Sequence, residues 1–322
     1  MPQARINPNF VSLPVTDRDD IQFSHISTNE GLSQTRVAQI IQDDDGFLWF
    51  ATQYGLNRYD GYKFKVFVSD PTRKNSLGCV YIYSLFKDRE GTVWVGCEHG
   101  VYRFDKVTET FRHYPIEGDV ADGLPVIVSN VSQDHTGALW LSTGNGLYRF
   151  DPATGRTTPY RHDPLNPSSL SSNDVRFAAE DSSHRFWVAT GVSGVSLEEF
   201  DRESGKVVLR IPVTSDRLGL SDVGVAFYED HFGVFWIIYT TIGHGSALAV
   251  LDRATNTLTR YSIYDRNSRR ELAGGVQAVV EDQKKELWFA TSEGLLRFNR
   301  EQRMFYRYRI ILVIPIVCLK TG

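Results

Sequence analysis

QDDDGFLW (42–49) is the first of six stretches in this sequence that align without gaps and end in tryptophan. The other five are KDREGTVW (87–94), QDHTGALW (133–140), EDSSHRFW (180–187), EDHFGVFW (229–236) and EDQKKELW (281–288). An aspartate stands six residues before each tryptophan: Asp43, Asp88, Asp134, Asp181, Asp230 and Asp282 precede Trp49, Trp94, Trp140, Trp187, Trp236 and Trp288. These are all the tryptophans of the 322-residue chain, and they lie 45, 46, 47, 49 and 52 residues apart. Such a period indicates a propeller blade rather than a helical hairpin.

Each repeat reads as four short strands. Apolar residues six and three positions before the aspartate, such as Val37 and Ile40, indicate an inner strand. The D-x-x-G segment predicts a tight hairpin turn, because aspartate bonds its own backbone there and glycine supplies a positive φ. His184 and Lys285 replace that glycine in two repeats. The tryptophan strand, a third strand such as GLYRFD (146–151) and an outer strand follow. The sequence therefore predicts an all-β fold, a β-propeller of six four-stranded antiparallel blades.

The repeated tryptophans and aspartates are interpreted as structural residues. One large ring per blade fills the wedge between neighbouring blades, and an aspartate at the same turn position in every blade indicates turn chemistry. We therefore assign neither set to ligand stacking or to catalysis.

The composition sets limits on partners and on disulfides. The chain is 41% hydrophobic and 23% charged with a net charge of −4, so no nucleic acid or anionic membrane partner is expected. The three cysteines, Cys79, Cys97 and Cys318, are odd in number and irregularly spaced, which is not a disulfide framework. We interpret them as packing or surface residues, Cys97 being a small strand residue.

The repeat resembles that of the two-component regulator propeller family. The best copies are GLSQTRVAQIIQDDDGFLWFATQYGLNRYDG (31–61) and the stretch from Leu124 to Asp151, and the resemblance extends from about Ile21 to Tyr308. It implies the extracytoplasmic sensor of a membrane-bound signalling protein, with oligosaccharides as ligands of some members. It also implies a downstream membrane helix, an output such as a histidine kinase or diguanylate cyclase, and a dimer in the full-length protein. The chain has no kinase or cyclase motif, so we predict that it is not an enzyme.

The resemblance also implies a ring of seven blades, of which six are present. IQFSHIS (21–27) is predicted to be a closing outer strand, after a poorly ordered extension at 1–20. The propeller then covers 21–309, and the apolar stretch 310–322 matches no repeat. Our hypothesis is that the chain is a truncated or frame-shifted product and that its contact with the membrane would come through missing downstream segments.

Localisation has two readings. The resemblance implies a periplasmic or extracytoplasmic protein. The first twenty residues lack the basic and apolar regions of a signal peptide, so a product that begins at Met1 would stay in the cytoplasm.

Loop lengths predict where a ligand would bind. From each tryptophan to the aspartate or asparagine that ends the third strand there are 11 residues in four blades, but 14 in blade four and 16 in blade five. Loops that vary on a rigid scaffold are the usual place for binding. We therefore predict a ligand site on the rim formed by these loops and the blade connections, which we call the variable-loop rim. Tyr239 and His244 are the candidate residues.

Catalytic and metal motifs are not found. The eight histidines form no H-x-H or H-E-x-x-H, there is no C-x-x-C and no G-x-S-x-G, and so no metal site, cofactor or catalytic residue is predicted. The leading reading is a sensor for a small molecule or an oligosaccharide. A propeller enzyme, lyase-like or glycosidase-like, and a protein-interaction platform are the alternatives.

Overall fold

The computed structural model describes residues 6–21, 26–116, 125–191, 196–212, 222–241, 245–268, 272 and 276–309. These described residues form twenty-five strands and one short 3-10 helix at Thr28–Glu30. No helix within them has the length and hydrophobicity that crossing a membrane requires.

The strands form six consecutive four-stranded antiparallel units preceded by a single strand, β1 (Ile6–Asp17). Blade one contains β2 (Val37–Gln42), β3 (Leu48–Thr52), β4 (Leu56–Tyr59) and β5 (Phe64–Phe67). Blade two contains β6 (Ser84–Lys87), β7 (Val93–Cys97), β8 (Gly100–Asp105) and β9 (Thr110–Pro115). Blade three contains β10 (Val128–Gln133), β11 (Leu139–Thr143), β12 (Gly146–Phe150) and β13 (Thr157–Tyr160).

The second half of the chain repeats this plan with longer strands in blade five. Blade four contains β14 (Val175–Glu180), β15 (Phe186–Thr190), β16 (Ser196–Asp201) and β17 (Lys206–Pro212). Blade five contains β18 (Asp222–Glu229), β19 (Phe235–Thr241), β20 (Gly245–Asp252) and β21 (Thr257–Asp265). Blade six contains β22 (Val276–Glu281), β23 (Leu287–Thr291), β24 (Gly294–Asn299) and β25 (Met304–Tyr308). The predicted fold class, an all-β propeller with six blades, is confirmed.

The repeated aspartate and tryptophan are joined by a hydrogen bond in every blade. The indole N–H donates to Oδ2 of the aspartate six residues earlier, at 2.6–2.9 Å. The other oxygen, Oδ1, accepts the backbone N–H four residues after the aspartate in each turn. One carboxylate therefore closes the first hairpin with one oxygen and orients the tryptophan with the other, which explains the constant spacing.

The glycine of this turn adopts a positive φ, as predicted. Gly137 has φ of 89°, and His184 and Lys285 adopt the same left-handed conformation at 62° and 66°. A residue with a side chain costs about 1 kcal/mol or more in this conformation.

Each tryptophan of blades one to five packs against the next blade. Trp49 shares a hydrophobic cluster with Leu85 of blade two, and Trp94 shares one with Val131 of blade three. The tryptophans of blades one to five are at most 2% exposed. Leu85 and Val131 both stand three residues before the aspartate of their blade, so this position forms the surface that receives the preceding tryptophan.

The N-terminal strand differs from the prediction. Of the predicted closing strand 21–27, residues 21, 26 and 27 lie outside any strand and 22–25 lie outside the described residues. The extension predicted to be poorly ordered instead contains β1, which pairs in parallel with β21 through Val11–Val15 and with β25 through Val15–Asp17. It thereby joins blades five and six into one nine-stranded sheet. The repeat pattern does not predict β1, because this strand carries none of the repeated residues.

A buried arginine fixes the end of β1. The Arg307 side chain is 1% exposed and donates to Asp17 at 2.6 Å and to Asp265 at 2.6 Å, with Glu293 3.4 Å away. Burial disfavours the charged guanidinium, but the hydrogen bonds to Asp17 and Asp265 outweigh it and raise the pKa of Arg307. The three carboxylates come from three segments, so this ion cluster ties β1 to both blades that it joins.

The junction between blades six and one is open in the described residues. Strand contacts join blade one to two, and so on to blade six. Ile40, the blade-one counterpart of Leu85, is 53% exposed, whereas Leu85 is 1% exposed. On the blade-six side of this junction, Val280, which pairs with Trp288, is 59% exposed. Within the described ranges, no tryptophan of another blade packs on Ile40 and no following blade covers Trp288.

Because this junction is open, truncating equivalent side chains of blades one and two to alanine should lower the free energy of unfolding by different amounts. Leu85→Ala should lower the free energy of unfolding by about 2 to 5 kcal/mol, because it leaves a cavity against Trp49. Ile40→Ala should change it by less than about 1 kcal/mol, because the side chain is already half in water. Urea unfolding of both variants measures the difference, and equal costs would contradict an open junction.

The Asp134 carboxylate predicts a loss of stability in acid. Burial favours the protonated form of Asp134, but hydrogen bonds from Thr136 and the Trp140 indole outweigh it and hold its pKa below the ordinary value. The stabilisation that Asp134 provides is thus complete above its unfolded-state pKa, near 3.9, and is lost as the pH falls through the lower pKa of the folded state.

Between pH 5 and pH 3 the urea midpoint of Asp134→Asn should therefore fall less than that of the unchanged protein. The reason is that the amide gains no proton over the pH range that those pKa values set. Asp45→Asn, an exposed carboxylate in the equivalent turn of blade one, is the control. An unchanged acid dependence in Asp134→Asn would contradict this role of the carboxylate.

Candidate functional site

The predicted site near blades four and five lies largely outside the described residues. His244 falls in the undescribed segment 242–244, and only the backbone of Tyr239 is described. That backbone belongs to β19 and pairs with Ala247 of β20. Most of the extra length in blade five therefore extends two strands, and Tyr239 lies in a strand and not in a loop as predicted. The role of both residues stays a prediction.

On the same rim, a described group of polar and aromatic side chains lies where the inner strands of blades one and two begin. We call Arg36, Gln53, Tyr81, Tyr83 and Glu98 the channel-mouth cluster, because inner strands line the central channel of a propeller. Tyr81 and Tyr83 stand two residues apart, just before β6. Their rings stack with centroids 4.2 Å apart and planes 18° from parallel.

Hydrogen bonds fix both ends of this tyrosine pair. The Tyr83 hydroxyl donates to Glu98 at 3.0 Å. The side-chain amide of Gln53 lies 3.2 Å from the Tyr81 hydroxyl. With its oxygen facing the guanidinium, the same amide accepts from Nη1 of Arg36 at 2.8 Å. The cluster thus combines a half-buried aromatic surface with a cation, a carboxylate and an amide.

The environment of Tyr83 keeps its hydroxyl protonated. Burial, the hydrogen bond to Glu98 and the charge of Glu98 together raise the pKa of Tyr83 to about 12. At neutral pH this group is a hydrogen-bond donor and does not serve as a base.

A disulfide links the segment that carries Tyr81 and Tyr83 to the segment that carries Glu98. Cys79 stands two residues before Tyr81, Cys97 directly precedes Glu98, and the two sulfurs are bonded. The interpretation of these cysteines as unpaired packing residues is wrong, although Cys97 is a fully buried strand residue as predicted. Their sequence separation of 18 gave no indication of pairing, because the bond depends on the pairing of β6 with β7.

Carboxylates along this rim are engaged with partners in the described residues. Glu98 accepts from Tyr83, and Asp174, which occupies the Tyr81 position in blade four, is 2.9 Å from Nε of Arg176.

A second concave region lies on the opposite rim, between blades one and two. Its volume is about 690 Å³, its floor includes Trp49 and Phe104, and its walls carry Asp45 and Lys106. In blades four to six an arginine at the position of Lys106 reaches the aspartate of the preceding blade, as Arg253 does to Asp181 at 2.8 Å. Lys106 instead points to Asp45, 3.7 Å away. The cavity thus lies at a junction where a lysine takes the place of that arginine, and both carboxylates and cations line it.

Comparison with known proteins supports the reading of the repeats. Residues 31–54 and 76–99 match the two component regulator propeller family. A curated relative, histidine kinase P4 of Formosa agariphila, is 40% identical over 55 residues, which is 17% of this chain and 4% of that protein. The family resemblance is therefore confirmed on the repeats themselves.

Solved structures share the fold. The extracellular domain of a putative hybrid two-component system of B. thetaiotaomicron is 22% identical, with a TM-score of 0.69 over 89% of this chain and 36% of that one. PorZ of the Porphyromonas gingivalis type-IX secretion system is 16% identical, with a TM-score of 0.58 over 86% of this chain and 42% of that one. This chain thus spans well under half the length of both, and at these identities the likeness concerns the fold.

The disulfide predicts a loss of stability on reduction. Opening a loop of about 18 residues should lower the free energy of unfolding by roughly 3 kcal/mol, because the unfolded chain gains freedom. Urea unfolding with and without reductant measures this change, and a Cys79→Ser/Cys97→Ser variant should be insensitive to reductant. An equal response of the variant and the unchanged protein would contradict the assigned bond.

Proposed function

We propose that this chain, which is built of two-component regulator propeller repeats, is the ligand-sensing propeller of a bacterial signal-transduction protein. It binds an oligosaccharide or a comparable polyhydroxylated molecule on the variable-loop rim. The observation that carries this proposal is the stacked Tyr81–Tyr83 pair, with Arg36, Gln53 and Glu98 around it.

The chemistry of this cluster suits a sugar. The apolar face of a pyranose packs against an aromatic ring, while its hydroxyls accept from a guanidinium and donate to a carboxylate. The aromatic pair is held by hydrogen bonds and by the nearby Cys79–Cys97 bond, so little conformational entropy is lost when a ligand binds. Tyr239 and His244, on the same rim, are proposed as further contacts.

Two observations support an extracytoplasmic location. A disulfide such as Cys79–Cys97 persists in oxidising compartments and is rare in the cytoplasm. The B. thetaiotaomicron structure that shares the fold is an extracellular domain. We propose that signalling output resides in other parts of the full-length protein, as the small share of histidine kinase P4 that aligns would allow.

Ligand binding is tested with a panel of oligosaccharides, by thermal shift and then by calorimetry on the saccharides that raise the Tm. Tyr81→Ala should weaken binding of such a saccharide by about 10-fold or more, since a stacked aromatic contact is worth on the order of 1 kcal/mol or more. Tyr239→Ala and His244→Ala should weaken it as well.

Tyr62→Ala is the matched control, because Tyr62 is 94% exposed in the β4–β5 turn on the opposite rim. Product analysis of the same mixtures separates binding from turnover. Release of shorter saccharides would contradict a sensor, and equal affinities for Tyr81→Ala and Tyr62→Ala would remove the channel-mouth cluster from the site.

A further inference from the structure

Neighbouring blades are connected by a recurring hydrogen bond on the rim that carries the D-x-x-G turns, which we call the turn rim. At the four junctions from blades two and three to blades five and six, the backbone N–H of the residue after the turn aspartate donates to the side chain that precedes the aspartate of the next blade. Arg89 donates in this way to Gln133 at 2.9 Å, and Ser182 donates to Glu229 at 2.6 Å. The side chains at these positions are therefore brought together at every such junction, whatever their chemistry.

At the junction of blades three and four this geometry gathers two histidines and a glutamate. The backbone of His135 donates to Glu180 at 2.5 Å, and Nδ1 of the same residue lies 2.5 Å from Oε1 of Glu180. His184, in the glycine position of the blade-four turn, places its own Nδ1 3.2 Å from that oxygen. One ligand atom from each of the three residues lies within 4.8 Å of the other two.

The exposure of the three side chains suits an ion that enters from solvent. Glu180 is 7% exposed, whereas His135 and His184 are 46% and 66% exposed. Glu180 faces the Arg202 guanidinium at 2.9 Å and accepts from the backbone N–H of His135, so its carboxylate is held in place. The carboxylate is thus the buried member of the cluster, and the two imidazoles are accessible to solvent.

We propose that His135, Glu180 and His184 form a binding site for a divalent transition-metal ion of the Zn²⁺ type, which bridges blades three and four. Two imidazole nitrogens and one carboxylate oxygen are a donor set that Zn²⁺ and its neighbours prefer, whereas Mg²⁺ and Ca²⁺ prefer oxygen alone. Water completes the coordination on the exposed side. The site lies on the rim opposite the channel-mouth cluster and does not rest on the proposed ligand binding.

Arg202 belongs to the surroundings of this site. One guanidinium nitrogen lies 2.9 Å from Oε1 of Glu180 and 3.4 Å from Nδ1 of His135. The same group donates to the carbonyl of His184 at 2.9 Å and faces Asp134 at 3.5 Å, so it keeps partners when an ion takes the Glu180 oxygen. Its positive charge opposes a cation, and we therefore expect moderate affinity.

The junction of blades five and six offers a natural comparison. His231 and Glu281 occupy the positions of His135 and Glu180, and the His231 backbone donates to Glu281 at 3.1 Å. Lys285 stands in the place of His184 with nearly the same backbone conformation, φ 66° against 62°. This junction therefore has two of the three donors and an ammonium group in place of the third.

A pair of reciprocal substitutions tests the proposal. ZnCl₂ is titrated calorimetrically into the untagged full chain, its His184→Lys variant and its Lys285→His variant. We expect one site in the unchanged protein, a loss of affinity of about 10-fold or more in His184→Lys, and a second site in Lys285→His. Thermal unfolding without metal confirms that each variant is folded, and MgCl₂ serves as the control ion.

The results separate the alternatives. Saturable Zn²⁺ binding that weakens about 10-fold or more in His184→Lys, and in the independent variant His135→Ala, supports the site. Binding of equal strength in the unchanged protein and in His184→Lys would assign it to other surface histidines and overturn the proposal. No binding to the unchanged protein would overturn it as well, and neither result bears on the binding of saccharides.

Discussion

The hydrogen bond between the turn aspartate and the indole N–H sets the geometry of every blade. Because one carboxylate bonds both the hairpin backbone and the tryptophan, the turn, the second strand and the ring that fills the wedge are fixed together. The ring then meets an apolar residue of the following blade, as Trp49 meets Leu85. A local contact over six residues is thereby converted into the stacking of blades some forty-five residues apart.

Most of this part of the fold follows from sequence, because the interaction is local and occurs six times. Asp134 and Trp140 are recognised by their spacing alone, and neighbouring copies confirm them. The features that escaped prediction depend on contacts between distant segments. β1 pairs with strands more than 240 residues away, Arg307 meets carboxylates from three segments, and Cys79 meets Cys97 only after β6 and β7 pair.

The functional residues are less visible in sequence for the same reason. Tyr81 and Tyr83 read as ordinary strand aromatics, and only the fold places Gln53 and Glu98 beside them. His135 and Glu180 lie in different repeats, so no short motif joins them. Comparing the same turn positions in adjacent repeats would have found that pair. The extra residues of blade five predict a longer loop, whereas most of them lengthen β19 and β20.

The two rims of the propeller thus have different chemistry. The turn rim carries the repeated aspartates, arginines that reach the preceding blade, and the histidine cluster, all of which connect blades. The variable-loop rim carries the stacked tyrosines and the polar groups around them. We propose that ligand binding takes place on the variable-loop rim, while the contacts of the turn rim hold the blades together.

Hydrogen–deuterium exchange on the protein saturated with a saccharide that raises its Tm tests that claim most directly. We expect the ligand to slow exchange of backbone amides in 79–83 and 96–99, around the channel-mouth cluster, and to leave exchange in turns such as 43–47 unchanged. Slower exchange confined to the turn rim, or the appearance of cleaved saccharide during the measurement, would contradict it.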